Sequence, residues 1–257
     1  MSGDQKVRAA LIVIGNEILS GRTQDANIVH IAKELNGVGV TLSEVRVIPD
    51  IEAEIVETVN ALRARYTYVF TTGGIGPTHD DITAECIAKA FDLPLIRNDE
   101  AVGLIEKRAK ERGVELNESR LRMANTPEGA TLIYNSISGA PGFKVGNVYV
   151  MAGVPSVMRV MLEEVKPELE GGEPTLSRAV TSQAPEGLMA EGLGLIQDDY
   201  PDMDIGSYPF YRPDGLFGTT IVMRHADAAQ LDKAAEEVAA LMRENGGKPE
   251  FRDTADD

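Results

Sequence analysis

Thr72-Gly73-Gly74-Ile75-Gly76-Pro77-Thr78-His79-Asp80-Asp81-Ile82-Thr83 lies between an apolar run, Tyr66 to Thr71, and a helical apolar pattern at Ile82, Ile87, Ala90 and Phe91. A strand that empties into a glycine loop and then a helix leaves backbone N–H groups unpaired at the helix start. Their positive dipole end favours phosphate or another anion. Two adjacent aspartates at that point are wrong for gripping an anion directly. They make sense where a divalent metal stands between carboxylate and phosphate, or where one carboxylate handles a proton or water. The plainer reading is a helix cap, since Thr78-x-x-Asp81 fits a capping box. A cap accounts for one threonine and one aspartate. It does not account for three glycines and a proline in the same loop.

Outward from this loop, strand and helix signals alternate. Strands are expected at 7–14, 40–47 and 66–71, with helices at 27–35 and from Asp50 onward through Ile51, Ile55, Val59 and Leu62. This alternation predicts an α/β fold with a mostly parallel sheet covered by helices. Ligands in such sheets gather at the carboxyl ends of the strands. Those ends here are Gly15-Asn16-Glu17, Pro49-Asp50 and Thr72-Gly73-Gly74. Further helices are expected at 99–112, closed by Gly113, and briefly after Asn117. A strand at 131–134 then precedes a turn-rich stretch at 138–142 and a strand at 147–151. Gly153-Val154-Pro155-Ser156 opens another helix, a second strand-to-helix turn with a usable N-terminus. Glu170-Gly171-Gly172-Glu173-Pro174 marks a boundary, giving domains 1–170 and 171–257. The second is read as a small α+β unit ordered strand, helix, strand, strand, helix, with a frayed end at 254–257.

At 257 residues the chain can hold one sizeable core, or one core and a smaller domain. The net charge is −16, and residues 171–257 carry 17 acidic against 7 basic side chains. A balance this acidic offers no electrostatic footprint for nucleic acid or an anionic membrane. An anionic substrate must then be held locally, by backbone N–H groups, a few arginines or a metal. No apolar run reaches the length of a membrane span, and the stretch 9–14 ends at Asn16-Glu17 with no cleavage-like site, which reads as a cytoplasmic protein. The single cysteine, Cys86, excludes an intramolecular disulfide and sits among helical apolar residues, as an inert buried thiol would.

No lysine follows the glycines, so the loop is not a Walker A cradle, and no G-x-G-x-x-G pattern is present. H-E-x-x-H and G-x-S-x-G are absent too, and the three histidines are scattered. Carboxylate- and metal-assisted handling of phosphate is what remains. Gly15-Asn16-Glu17-Ile18-Leu19-Ser20-Gly21, with Asp25 and Asn27, and the 72–83 stretch resemble the molybdopterin-binding-type domain shared by CinA proteins and MogA/MoaB. Asp80-Asp81, Ala140-Pro141-Gly142-Phe143 and the run from Met151 to Met158 resemble the CinA branch. The resemblance covers roughly residues 7–165, and residues 175–245 resemble the small KH-like unit of CinA proteins. It implies a three-layer α/β/α domain and a homo-oligomer, dimer or trimer. In the CinA branch it implies hydrolysis of the pyrophosphate of ADP-ribose or a related dinucleotide, dependent on Mg, Mn or Co. In the MogA/MoaB branch it implies molybdopterin as a bound ligand, in molybdenum cofactor biosynthesis. The amidase domain of full-length CinA does not appear before Asp257, so no amidase activity is expected.

The resemblance also ranks the residues. Asp81 stands where the superfamily places its aspartate and Asp80 is the CinA-type addition. Both are expected to act in catalysis and, with Glu17, as metal ligands; near a helix N-terminus both should stay ionised. Asp50 is a third catalytic candidate, and equally a natural N-cap for the helix from Ile51. Gly73, Gly74, Gly76 and Thr78 are candidate ligand contacts, as are Asn27, Gly142, Gly153 and Pro155. Turn geometry explains Gly142, Gly153 and Pro155 as well, and Asn27 reads also as a cap for the helix at Ile28. His79, Arg212, Arg224 and the Ser207-Tyr208-Pro209 run are weaker candidates, for which packing or a solvated position is the plainer account.

Overall fold

The computed structural model describes residues 7–252. The expected frayed end at 254–257 lies outside the described residues. The chain divides into two compact units, Met1–Gly172 and Glu173–Asp257.

The first unit runs β1 (Val7–Ile14), α1 (Asn16–Leu19), α2 (Asn27–Gly37), β2 (Val40–Ile48), α3 (Glu52–Arg63), β3 (Tyr68–Thr72) and α4 (Thr83–Ala90). It continues with β4 (Leu95–Arg97), α5 (Asp99–Glu111), α6 (Glu118–Leu121), a 3-10 turn at Arg122–Ala124, β5 (Asn125–Pro127) and β6 (Thr131–Ile133). The hairpin β7 (Gly142–Val145) and β8 (Val148–Met151) leads into α7 (Pro155–Val165). The main sheet has the order β2-β1-β3-β8-β7-β6. β2, β1, β3 and β8 are parallel neighbours, while β7 is antiparallel to both β8 and β6. The chain therefore leaves β1 toward one edge and returns on its other side at β3, which makes a topological switch point where ligands collect beyond the strand ends.

β1 explains why the sheet must be covered on both faces. Its alternate residues Ala10, Ile12 and Ile14 pack with Ile55, Val59 and Leu62 of α3 and with Cys86 and Ile87 of α4. Ala9, Leu11 and Val13 pack instead with Ile31 and Leu35 of α2 and with Met158, Met161 and Leu162 of α7. With both faces apolar at a period of two, the strand needs a helical layer on each side. The result is the three-layer α/β/α arrangement. Asn98 and Asn117 cap α5 and α6 through their side chains, and Pro155 takes the first turn of α7, where a missing N–H costs nothing. A small separate ribbon pairs β4 with β5.

The second unit runs β9 (Leu176–Ser182), α8 (Glu186–Asp199), β10 (Asp204–Tyr211), β11 (Phe217–His225), α9 (Ala228–Glu244) and β12 (Glu250–Arg252). Its four-stranded sheet, β10-β11-β9-β12, is antiparallel throughout. The core joins Val180, Ile221 and Met223 of the sheet to Met189 of α8 and to Leu231, Val238 and Met242 of α9. The α+β reading holds, and the closing strand β12 adds to it. Among the described residues, no helix is long and apolar enough to cross a membrane.

Candidate functional site

The carboxyl ends of β1, β2 and β3 and the turn after β8 enclose a cavity of about 560 Å³. Gly15 and Glu17 line it after β1, Asp50 after β2, and Gly153 and Pro155 after β8; the glycine loop contributes Gly73, Gly74, Gly76, Thr78, Asp80 and Asp81. The polar strand tails picked out from the sequence therefore meet around one space. Asn27 and Gly142 are set back from its wall. Asn27 is buried and its Nδ2 donates to the Gly153 carbonyl at 2.8 Å, so it holds the turn from behind. The helix start at Asn27 is satisfied by Asp25, whose Oδ1 accepts from the N–H groups of Asn27 (2.9 Å) and Ile28 (2.7 Å). Asn27 is thus not the cap. Gly142 lies within β7, where a Cβ would come 2.3 Å from the Val150 carbonyl oxygen. Close packing inside the hairpin requires that glycine.

Contacts on three sides hold the glycine loop. Gly73 has φ of 105°, and a Cβ there would stand 2.1 Å from the carbonyl oxygen of Ile14. The fully buried Thr83 donates its hydroxyl to Gly73 O at 3.0 Å and its N–H to Gly74 O at 3.0 Å. Asp81 Oδ2 accepts from Thr78 N at 2.8 Å and from Thr78 Oγ1 at 2.5 Å. Gly76 leaves room for this carboxylate, because a Cβ on it would sit 2.6 Å from Asp81 Oδ2.

Two expectations are corrected here. The capping box is only half formed: the Asp81 carboxylate reaches back to Thr78 N–H, but the Thr78 hydroxyl donates to Asp81 rather than capping a helix. The helix α4 begins only at Thr83, so residues 76–81 form a closed loop ahead of it. Asp81 therefore spends one oxygen on loop geometry. Asp50 is the second correction. It does not cap α3, whose N-cap is Ile51 with no side-chain bond. Its Oδ2 instead accepts from Asn16 N at 2.9 Å, at the start of α1.

Asp50 belongs electrostatically to the cavity. Burial raises its pKa above the ordinary carboxylate value; the Asn16 N–H works against this, and the charges of Glu17 and Asp80 push it further up. Asp80 is exposed, and its pKa is lowered first by the Thr78 hydroxyl and, more weakly, by His79. The charges of Glu17 and Asp80 thus both bear on Asp50, and a cation beside it relieves that repulsion. The described residues contain no group of three Asp, Glu, His or Cys side chains that would form a ready-made metal cage. A Mg²⁺-like ion held by one or two carboxylates together with a substrate phosphate needs no such cage. The donor set fits an ion of that kind.

Burial pushes the Cys86 thiol up to about 12, which keeps it protonated and inert. His79 lies on the exposed part of the loop. In the second unit Arg224 pairs with Asp204 at 3.0 Å and Tyr208 is half exposed on β10.

Residues 10–171 match the family model described as "Probable molybdopterin binding domain". The chain belongs to that family. Its first unit is of the CinA type: the crystal structure of CinA from Thermoplasma acidophilum, a protein of unknown function, matches at 32% identity with a TM-score of 0.58, covering 63% of this chain and 96% of the other. A CinA-like protein of Citrifermentans bemidjiense is 39% identical over 64% of this chain, but over only 41% of its own length. A protein of Archaeoglobus fulgidus is 36% identical over 77% of this chain and 84% of its own. Residues 174–248 match a different model, the middle domain of FAD synthase.

Sequence reasoning missed Thr83 and gave Asp25 no role. An aspartate two and three residues before the first helical N–H groups is a recognisable Asx turn, so Asp25 was legible. Thr83 at a helix start reads as an ordinary helix residue, and nothing local signals its bond back to Gly73.

Proposed function

We propose that the CinA-type unit is a metal-dependent nucleotide pyrophosphatase that hydrolyses ADP-ribose or a related dinucleotide to AMP and a sugar phosphate. One observation carries this reading: Glu17, Asp50 and Asp80 converge on a cavity walled by a rigid glycine loop. The glycines give the loop its tight shape, since the place of a Cβ is taken by Ile14 O at Gly73, the Thr83 hydroxyl at Gly74 and the Asp81 carboxylate at Gly76. The loop so formed is the wall that a substrate phosphate meets. Asp80 and Glu17 are the carboxylates placed to hold a divalent ion. A bound Mg²⁺, Mn²⁺ or Co²⁺ supplies Lewis-acid polarisation of the phosphoryl oxygen and lowers the pKa of water. Asp50, fixed by Asn16 N–H, orients the attacking water and takes its proton as the new P–O bond forms and the bridging P–O bond breaks. Asp81 acts through the loop by holding Thr78.

The test is turnover of ADP-ribose, FAD and NAD with each metal, with products separated by chromatography. Asp80→Asn should lower turnover by about 10²-fold or more while leaving the melting temperature within a few degrees. Full activity in Asp80→Asn overturns the assignment. The description of the matching family favours a second reading, in which the cavity binds molybdopterin without hydrolysis. Tight pterin binding with no release of AMP from any dinucleotide selects that reading.

A further inference from the structure

Across the glycine loop from this cavity lies a second one, of about 360 Å³, which shares Gly74, Ile75, Gly76, Asp81 and Met123 with it. Both volumes fall within the span of small-molecule pockets, roughly 300–1,000 Å³. The charges around the second cavity are unevenly settled. Glu85 pairs with Lys89 at 3.1 Å, and Glu118 with Arg97 at 3.5 Å; Arg97 Nε also donates to Asn125 at 2.7 Å. Arg122, partly buried on the 3-10 turn, lines the same wall and has no ion pair or hydrogen bond from its side chain among the described residues. In a chain of net charge −16, carboxylates are plentiful, so a guanidinium left unmatched in a cavity wall is informative. Beside it Leu95, Met123 and Phe143 give apolar surface. A planar fork next to apolar surface suits a phosphate carried on an organic group.

We propose that this second cavity binds the far half of a two-phosphate ligand whose first phosphate lies at the glycine loop, and that Arg122 is the specificity-determining residue that engages the second phosphate-bearing group. The proposal rests on the reading of the larger cavity as a phosphate-ligand site. It makes the loop a divider between two subsites, with the scissile pyrophosphate crossing it beside Asp81.

Calorimetric binding of ADP-ribose, AMP and ribose 5-phosphate tests this, in Ca²⁺ and with chromatography confirming that each ligand stays intact. Arg122→Ala should weaken ADP-ribose by about tenfold or more, the size expected for a charge-assisted bond. Of the two halves, one should weaken alongside it and the other should hold within about twofold, since only one half meets Arg122. Arg122→Lys, which keeps the charge and loses the fork, should recover part of the loss. Leu95→Trp fills the cavity from an exposed strand position and should weaken ADP-ribose with Arg122 intact; these last two variants decide the matter if Arg122→Ala melts early. Unchanged binding in Arg122→Ala, or equal weakening of all three ligands, overturns the subsite alone. A wild type that binds none of the three overturns the phosphate-site reading and the subsite with it.

Discussion

Asp50 sits partly buried with the charges of Glu17 and Asp80 bearing on it, and its pKa is raised in consequence. A carboxyl group whose folded-state pKa lies above its unfolded value favours folding in its protonated form. That contribution is complete below the unfolded pKa and is lost as pH rises through the folded one. At neutral pH the ionised Asp50 is therefore a cost to the fold, kept for what it does in the cavity. Asp50→Asn can still accept the Asn16 N–H and carries no charge. In metal-free buffer it should melt higher than the wild type at pH 7, and the gain should vanish below about pH 4, near the unfolded carboxylate pKa. Turnover should fall in the same variant. Thermal melts across that pH range and one activity assay check all three outcomes. Stability gained where activity is lost is the signature of a residue retained for chemistry.

The start of helix α4 shows how one element places a loop it does not contain. Thr83 ties the helix to the carbonyls of both Gly73 and Gly74. Thr83→Val keeps the shape and removes the hydroxyl, leaving the Gly73 carbonyl short of a partner. It should cost about 1–3 kcal/mol in denaturant unfolding, with the larger effect on substrate KM. The long elements of this fold were legible because their burial is periodic: β1 on both faces, α2, α3 and α7 on one. The strand ends that build the site were legible for the same reason, since glycine and acidic residues interrupt those patterns where the sheet stops. Of the three- and four-residue strands, Thr131–Ile133 and Val148–Met151 were legible and others were not. Leu95–Arg97 and Asn125–Pro127 are too short to show alternation, and Gly142–Val145 hides behind the Ala140-Pro141-Gly142 turn signal. The two cap readings fail for different reasons. Asp50 sits where a cap belongs but accepts from Asn16 N–H, a donor far along the chain that the local sequence does not disclose. Asp81 does meet Thr78, as the spacing indicates, but in a closed loop ahead of the helix rather than at its start.

On the scale of the molecule, the buried clusters of the first unit contain no residue of the second, and the core of the second contains none of the first. Residues 1–172 expressed alone should therefore fold cooperatively and keep the turnover proposed for the full chain. Circular dichroism melting and the ADP-ribose assay check this, and loss of the cooperative transition would show that the first unit needs the second. The sheet order carries a further consequence, for time rather than place. The glycine loop is shaped by β1, which must already lie against β3, and by the turn after β8, which must already lie against β3 from the other side. These parallel pairings join segments far apart in sequence, and such contacts close late because their loop entropy is spent before they are rewarded. The loop thus takes its final form near the end of folding. A ligand bound there should slow unfolding in stopped-flow experiments while leaving the refolding rate unchanged.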